Sequence, residues 1–275
     1  MRRISKSLIA SAFHAIWKGD NRVINKPKLK SSRIIFEGKG NVLYCTQPDV
    51  VIEDSIIRFM GDNSLVFLCP SKWSHKLKLA VFNDSVVYIG KNNKVTSLMA
   101  MVASEQKHIF IGNSGLFSRD IWFRTADPHL IYSTESKERI NWPQSIFLGD
   151  HVWIGQGVSL LKGTQIGSGT IVGAGSVVAG KKLTSNCSYA GVPVKKLREG
   201  IFFTTNRTHD YTKEQQEASG IKNTRKWIYT AESAEAIPFS NIDEMFSQNV
   251  PVDEKIAYIV QNLVEGKHNR FYLPS

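Results

Sequence analysis

The stretch LGDHVWIGQGVSLLKGTQIGSGTIVGAGSVVAG, residues 148–180, decides the fold of this chain. Written in rows of six, it has an aliphatic residue in every first place and, except at Leu161, a glycine in the second place of five consecutive rows. The first places hold Leu148, Ile154, Leu160, Ile166, Val172 and Val178. The fifth places hold Val152, Val158, Thr164, Thr170 and Ser176. A period of six fits neither an amphipathic helix nor an alternating strand.

This period predicts a parallel β-helix in which each row forms one short strand and one turn, and three rows complete a coil. Residues one coil apart should then stack, with Leu148 on Ile166 and Ile154 on Val172. We expect the first-place and fifth-place side chains to share the narrow interior. Glycine in the second place should supply the tight turn geometry that a β-carbon would oppose.

Less regular rows of six begin at Ile89, Ile111 and Phe117, and short β-rich runs fill residues 33–100. We interpret residues 33–200 as one mainly β domain, a solenoid whose early coils are irregular. Its length is sufficient for a substantial core.

Residues 130–145 lack the period and contain Pro143, which predicts a loop that leaves the coil. Residues 1–32 are predicted to be a helical or irregular segment with an amphipathic helix over residues 4–17. Residues 201–275 are predicted to be a helical or irregular extension that serves as a cap or an oligomer contact. Within it, residues 253–264 have helical spacing with acidic residues at the front.

The composition of the 275 residues is that of a globular protein, with 42% hydrophobic residues and a formal net charge of +11. The charge suggests an anionic partner, for which a phosphorylated cofactor and an acidic polysaccharide are both suitable. The sequence contains no nucleic-acid-binding motif and no apolar run long enough to span a membrane. Three unpaired cysteines are typical of a cytoplasmic protein. A basic N-terminal helix resting on the inner membrane is the alternative.

The segment GDHVWIG at 149–155, the rows of six and the closing AGVPVKKL at 190–197 resemble the hexapeptide-repeat acyltransferases. The similarity is greatest to bacterial capsular and surface-polysaccharide O-acetyltransferases, and it is specific over residues 105–200. It implies a left-handed β-helix, although parallel crossovers are normally right-handed. It also implies a homotrimer that binds acetyl-CoA in the groove between adjacent subunits and takes a glycan as acceptor.

His129, in FRTADPHLIYS, is our candidate for the catalytic base. Acetyl transfer to a hydroxyl needs a group that accepts the hydroxyl proton near neutral pH, and histidine suits this role. His129 precedes Trp153 in the order that the family shows. Asp127 is a candidate to orient its imidazole, although ADP also forms turns. We interpret His151 as a solvated turn residue near the cofactor.

Other residues are assigned by the resemblance to the acetyl donor. Trp153 should project from the coil corner and flank the pantetheine arm, and the backbone N–H near Gly155 and Gln156 should stabilise the thioester oxyanion. Small residues at a later corner should let the pantetheine approach the backbone; these are Gly173, Ala174 and Gly175. Basic residues after the last coil should meet the CoA phosphates; these are Lys181, Lys195 and Arg198.

For the acceptor we single out Asn113, Asp120 and Arg124, which solvated turns would explain equally well. No metal site is expected, because the sequence contains no H-x-x-x-H or C-x-x-C spacing. The predicted function is therefore direct acetyl transfer from acetyl-CoA to a polysaccharide hydroxyl, with sialic acid as one acidic candidate. N-acetylation of an amino sugar and a non-catalytic glycan-binding scaffold are the alternatives.

Overall fold

The computed structural model describes residues 19–231 and 236–275, so the helix predicted over residues 4–17 lies outside the described residues. From Arg22 to Arg198 the chain winds into a left-handed parallel β-helix with three faces. Each coil contributes a strand to an eight-stranded face, then to a six-stranded face and then to a seven-stranded face. The strands begin ahead of the predicted start at residue 33, because Arg22 already pairs with Val42.

The strands are short, and each face is built by stacking them in register. The eight-stranded face contains β1 (Arg22–Ile24), β4 (Val42–Cys45), β7 (Leu65–Leu68), β9 (Val86–Ile89), β12 (Ile109–Ile111), β15 (Ile146–Leu148), β18 (Gln165–Ile166) and β21 (Lys182–Leu183). The six-stranded face contains β10 (Lys94–Val95), β13 (Leu116–Phe117), β16 (Trp153–Ile154), β19 (Ile171–Val172), β22 (Ser188–Ala190) and the antiparallel β23 (Lys195–Arg198). The seven-stranded face contains β3 (Arg33–Phe36), β6 (Ile56–Phe59), β8 (Leu77–Val81), β11 (Met99–Ala103), β14 (Trp122–Arg124), β17 (Ser159–Leu161) and β20 (Val177–Val178). In the first coils, β2 (Lys28–Lys30) and β5 (Val51–Glu53) take the place of the six-stranded face.

The predicted stacking is confirmed. Leu148 pairs with Ile166 and Ile154 with Val172. All the first-place and fifth-place side chains of residues 148–178 are buried at 0% exposure. The six-residue period therefore identifies the side chains that fill the interior of the coil. The irregular early coils are confirmed too, since their strands belong to the same faces.

The prediction that turn geometry requires the second-place glycines is wrong. A β-carbon on Gly155 would lie 2.6 Å from the backbone nitrogen of Ala174, so this place is restricted by the next coil. The left-handed backbone occurs instead in the fourth place of each row. Its residues there are His151, Gly157, Gly163, Gly169 and Gly175, with φ between 51° and 75°.

Residues 130–145 lie between β14 and β15 and are closed by an isolated antiparallel bridge from Tyr132 to Arg139. They leave the β-helix without disturbing it. Ile109 pairs directly with Ile146 across the insertion.

The extension after Arg198 contains α1 (Lys213–Ala218), α2 (Phe239–Ser247) and α3 (Val252–Asn262). The predicted helical spacing corresponds to α3, which has Asp253 and Glu254 in its first turn. Helices α2 and α3 and the chain end pack on the outer surface of the eight-stranded face, where aromatic rings stack from coil to coil. The extension is therefore a cap on that face. Within the described ranges no helix combines the length and apolarity of a membrane span.

Candidate functional site

The predicted site residues lie at different corners of the β-helix. Asp120 and Gln156 lie at the corner between the six- and seven-stranded faces, which we call the six–seven corner. His129 follows β14 at the seven–eight corner, and Asn113 lies at the eight–six corner. Trp153 lies on the six-stranded face itself. A single chain thus separates His129 from Trp153, and the cavity that Trp153 lines does not include His129.

His129 is exposed at the start of the loop. Its backbone carbonyl accepts a hydrogen bond of 2.8 Å from Nδ2 of Asn141, which fixes the main chain and leaves the imidazole facing outward. The position is accessible to a substrate, as a general base requires.

Asp127 binds groups other than the His129 ring. Its Oδ2 accepts hydrogen bonds of 2.5 Å from Lys162 Nζ and 3.1 Å from Asn141 Nδ2. The hydrogen bond from Lys162 holds the pKa of this carboxyl below its ordinary value. In this structure Asp127 therefore fastens the loop to the following coil.

Asn141 is a residue that the sequence reasoning missed. It is 6% exposed, and its amide nitrogen reaches both Asp127 and His129 while its Oδ1 accepts the backbone N–H of Ile131 at 2.9 Å. It holds both ends of the loop together around the candidate base. No periodic pattern marks a residue inside an irregular loop, so the sequence carried no signal for it.

The interpretation of His151 as a solvated residue is wrong. Its side chain has 0% exposure and lies between the rings of Phe203 and Trp227, with centroids 3.9 and 3.8 Å away. Nε2 donates to the carbonyl of Phe203 at 3.0 Å, while Nδ1 has no partner among the described residues. Burial lowers its pKa, which favours the neutral ring. His151 anchors the extension that returns over the coil.

Trp153 projects outward from the six-stranded face and not from a corner of the coil, and it is 43% exposed. Its ring lies 5.7 Å from that of Phe203 and lines a cavity of about 500 Å³. An indole this exposed is available to cover a ligand.

The six–seven corner offers a free backbone donor. The amides of Gly155 and Gly157 already bind the carbonyls of Val172 and Arg119, at 2.8 and 2.9 Å. Between them, the amide of Gln156 has no acceptor among the described residues. The Gln156 side chain reaches Asp120 at 3.4 Å, and Gly173, Ala174 and Gly175 form the same corner one coil later.

The other acceptor candidates have structural partners. The side-chain oxygen of Asn113 accepts the backbone N–H of Lys91 at 2.7 Å, so it serves the corner of the coil. The Arg124 guanidinium lies 5.3 Å from the ring centroid of Trp122 on the seven-stranded face.

The basic residues predicted to meet the CoA phosphates lie in two different places. Lys181 lies between β20 and β21 at the seven–eight corner, whereas Lys195 and Arg198 belong to β23 at the end of the six-stranded face. All three are exposed. No three His, Cys, Asp or Glu side chains in the described part of the chain lie close enough to hold a metal ion.

Comparison with known sequences agrees with this geometry. Residues 145–180 match the family described as bacterial transferase hexapeptide (six repeats). A polysialic acid O-acetyltransferase of Escherichia coli O1:K1 / APEC is 36% identical over 119 residues, which are 43% of this chain and 38% of that protein. One of Neisseria meningitidis is 28% identical over 140 residues, 50% of this chain and 64% of that protein. The chain thus spans less than two thirds of either relative.

Two solved structures share the fold. The polySia-specific acetyltransferase NeuO superposes with a TM-score of 0.58 and 28% identity, covering 73% of this chain and 96% of NeuO. The polysialic acid O-acetyltransferase OatWY superposes with a TM-score of 0.53 and 24% identity, covering 73% of this chain and 98% of OatWY.

Proposed function

We propose that this chain, whose residues 145–180 match the bacterial transferase hexapeptide family, transfers acetyl from acetyl-CoA to a hydroxyl of an anionic capsular polysaccharide. The observation that carries the proposal is the similarity to NeuO over 96% of that structure. Both curated relatives are named for polysialic acid, and the net charge of +11 suits a polymer of sialic acid.

In this mechanism His129 accepts the proton of the acceptor hydroxyl as its oxygen attacks the thioester carbonyl. The oxyanion that forms is bound by the free N–H of Gln156. The carbon–sulfur bond then breaks, and the departing thiolate takes the proton from His129. The acetyl group passes directly to the acceptor, because no nucleophile motif is found in the sequence.

The donor lies along the later coils in this proposal. Trp153 flanks the pantetheine arm, which passes the small residues Gly173, Ala174 and Gly175 of the six–seven corner. Lys195 and Arg198, at the end of the six-stranded face, bind the phosphates through charge-assisted hydrogen bonds.

The working unit is a homotrimer whose sites lie between copies. His129 and Trp153 lie on different sides of one chain, and rotation in a closed ring brings His129 of one copy to Trp153 of the next. The loop carries the apolar surface for such a contact. Its exposed residues are Leu130, Ile131, Tyr132, Ile140 and Trp142.

The test is an acetyl-transfer assay on acidic and neutral glycans with His129→Ala and, as a control on the same loop, Glu138→Ala. His129→Ala should lose a factor of about 10²–10⁴ in rate while keeping its affinity for acetyl-CoA. Full activity in this variant would exclude His129 as the base.

Shared sites are tested by co-expressing His129→Ala with Trp153→Ala. Each variant alone should be inactive, and random mixed trimers should recover about one quarter of the wild-type sites. No recovery in mixed trimers would contradict the shared site.

A further inference from the structure

A groove runs along the six-stranded face upstream of Trp153, beneath residues 203–209. Its two cavities, of about 500 and 700 Å³, share lining residues and so adjoin along this face. The shared residues are Lys94, Thr96, Arg207 and His209. Trp153 lines one end and Trp73 the other.

The groove is longer than a single sugar ring. Trp73 lies on the coil before β10, since His75 bridges to Ile52 in the preceding coil. From this coil through β10 and β13 to Trp153 on β16 there are three steps, which at the usual spacing of parallel strands amount to about 14 Å.

Most of the cationic side chains in the groove have no carboxylate partner among the described residues. Among the described residues, Lys72, Lys94 and Arg207 form no ion pair. Lys76 differs, because its Nζ lies 3.6 Å from Asp54. Glu53 is the one carboxylate among the residues that line the groove in the described chain. A ligand with regularly placed negative charges would meet these cations without displacing existing pairs.

The groove also offers groups for sugar rings. Trp73 is 38% exposed, and the Lys94 ammonium lies 5.6 Å from its ring centroid. This places a cation over an aromatic ring, so that a sugar carboxylate and an apolar sugar face have partners at the same end of the groove. The covering segment supplies hydroxyl and amide groups for sugar hydroxyls, from Thr204, Thr205, Asn206 and Thr208.

We propose that this groove binds the anionic glycan acceptor as an extended chain, with the reacting sugar at Trp153 and further sugars toward Trp73. The direction of the glycan chain, with its reacting sugar at Trp153, rests on the proposed function. The donor residues Gly173–Gly175 and Lys195 lie downstream of Trp153, and the groove lies upstream. The two substrates therefore reach Trp153 from opposite ends of the six-stranded face.

The experiment measures binding and transfer with sialic acid oligomers of increasing length and with a neutral glucan of matched length. Trp73→Ala and Lys94→Gln remove the aromatic face and the cation. Lys78→Gln, an exposed lysine on the seven-stranded face, is the matched control. Each groove variant should bind long oligomers about tenfold more weakly, which corresponds to one lost contact of about 1.4 kcal/mol. The KM for the polymer should rise with kcat nearly unchanged, while the dimer reacts as with the wild type.

The outcomes separate the groove from the proposed reaction. If the wild type binds the polymer without acetylating it and both variants lose binding, the groove stands and the transferase proposal fails. Wild-type affinity in both variants overturns the groove even where transfer occurs. Equal affinity for the neutral glucan overturns the anionic class. A change of oligomeric state in the variants, measured by sedimentation, would show instead an interface between copies and also overturn the proposal.

Discussion

Arg270 donates hydrogen bonds of 2.8 Å from both Nε and Nη2 to the two carboxylate oxygens of Asp150, which lies 120 residues earlier. Arg270 is 1% exposed and Asp150 8% exposed, and Oδ1 of Asp150 also accepts the backbone N–H of Asn113. Asp150 belongs to the row that contains His151 and Trp153. The pair thus fastens the C-terminal cap to the row on which the candidate donor site is built.

Replacing Arg270 by Met should destabilise the fold by about 3–5 kcal/mol, because it leaves the carboxylate of Asp150 buried without its partner. The free energy of unfolding in urea measures this. Arg22→Met is the matched control, since Arg22 pairs with Asp253 on the surface at 2.9 Å, and it should cost less than about 1 kcal/mol. Adding Asp150→Asn to Arg270→Met should restore part of the loss. Equal effects of the two arginine variants would contradict the buried pair.

Replacement by asparagine should change the free energy of unfolding by different amounts at Gly155 and Gly157, the two glycines of one turn. Gly157 has φ of 69° and its nearest atom to an added β-carbon is 3.9 Å away, so Gly157→Asn fits a residue that tolerates this backbone. At Gly155 the same side chain would collide with the backbone of Ala174 in the next coil. We expect less than about 1 kcal/mol for Gly157→Asn and about 1–3 kcal/mol or more for Gly155→Asn. Urea unfolding decides, and a larger loss at Gly157 would refute the steric reason.

The interior of the coil was predictable from the sequence because it repeats. Ile154 and Val172 stack in successive coils, and Leu160 and Ile166 fill the same interior place on the other two faces, so the same physical constraint recurs every six residues. The corners are less predictable, because a glycine there is required either by a positive φ or by the close approach of the next coil. The sequence shows the same residue in both cases and so does not distinguish Gly155 from Gly157.

The site was only partly predictable for a related reason. The order of His129 and Trp153 follows from resemblance, but the faces on which they lie depend on how the loop at 130–145 interrupts the coil. His151 could not be assigned from its row, because Phe203 and Trp227, which bury it, come from a segment without any period. Contacts between distant, irregular parts of the chain leave no local pattern.

The stability of the protein should depend on pH through its buried histidines. Burial lowers the pKa of His151, and it lowers the pKa values of His75 and His108 in the same direction. As pH falls below about 6.5, the unfolded chain takes up protons that the folded protein excludes, so this stability is present above about pH 6.5 and is lost below it.

His151→Phe keeps an aromatic ring between Phe203 and Trp227 and removes one titrating group. At pH 7.5 it should lose about 0.5–1.5 kcal/mol with the hydrogen bond to the Phe203 carbonyl, and at pH 5.5 its deficit relative to wild type should shrink. Urea unfolding at both pH values measures the two differences, and tryptophan fluorescence checks that the stack persists. A deficit that is the same at both pH values would show that His151 does not exclude the proton in the folded state.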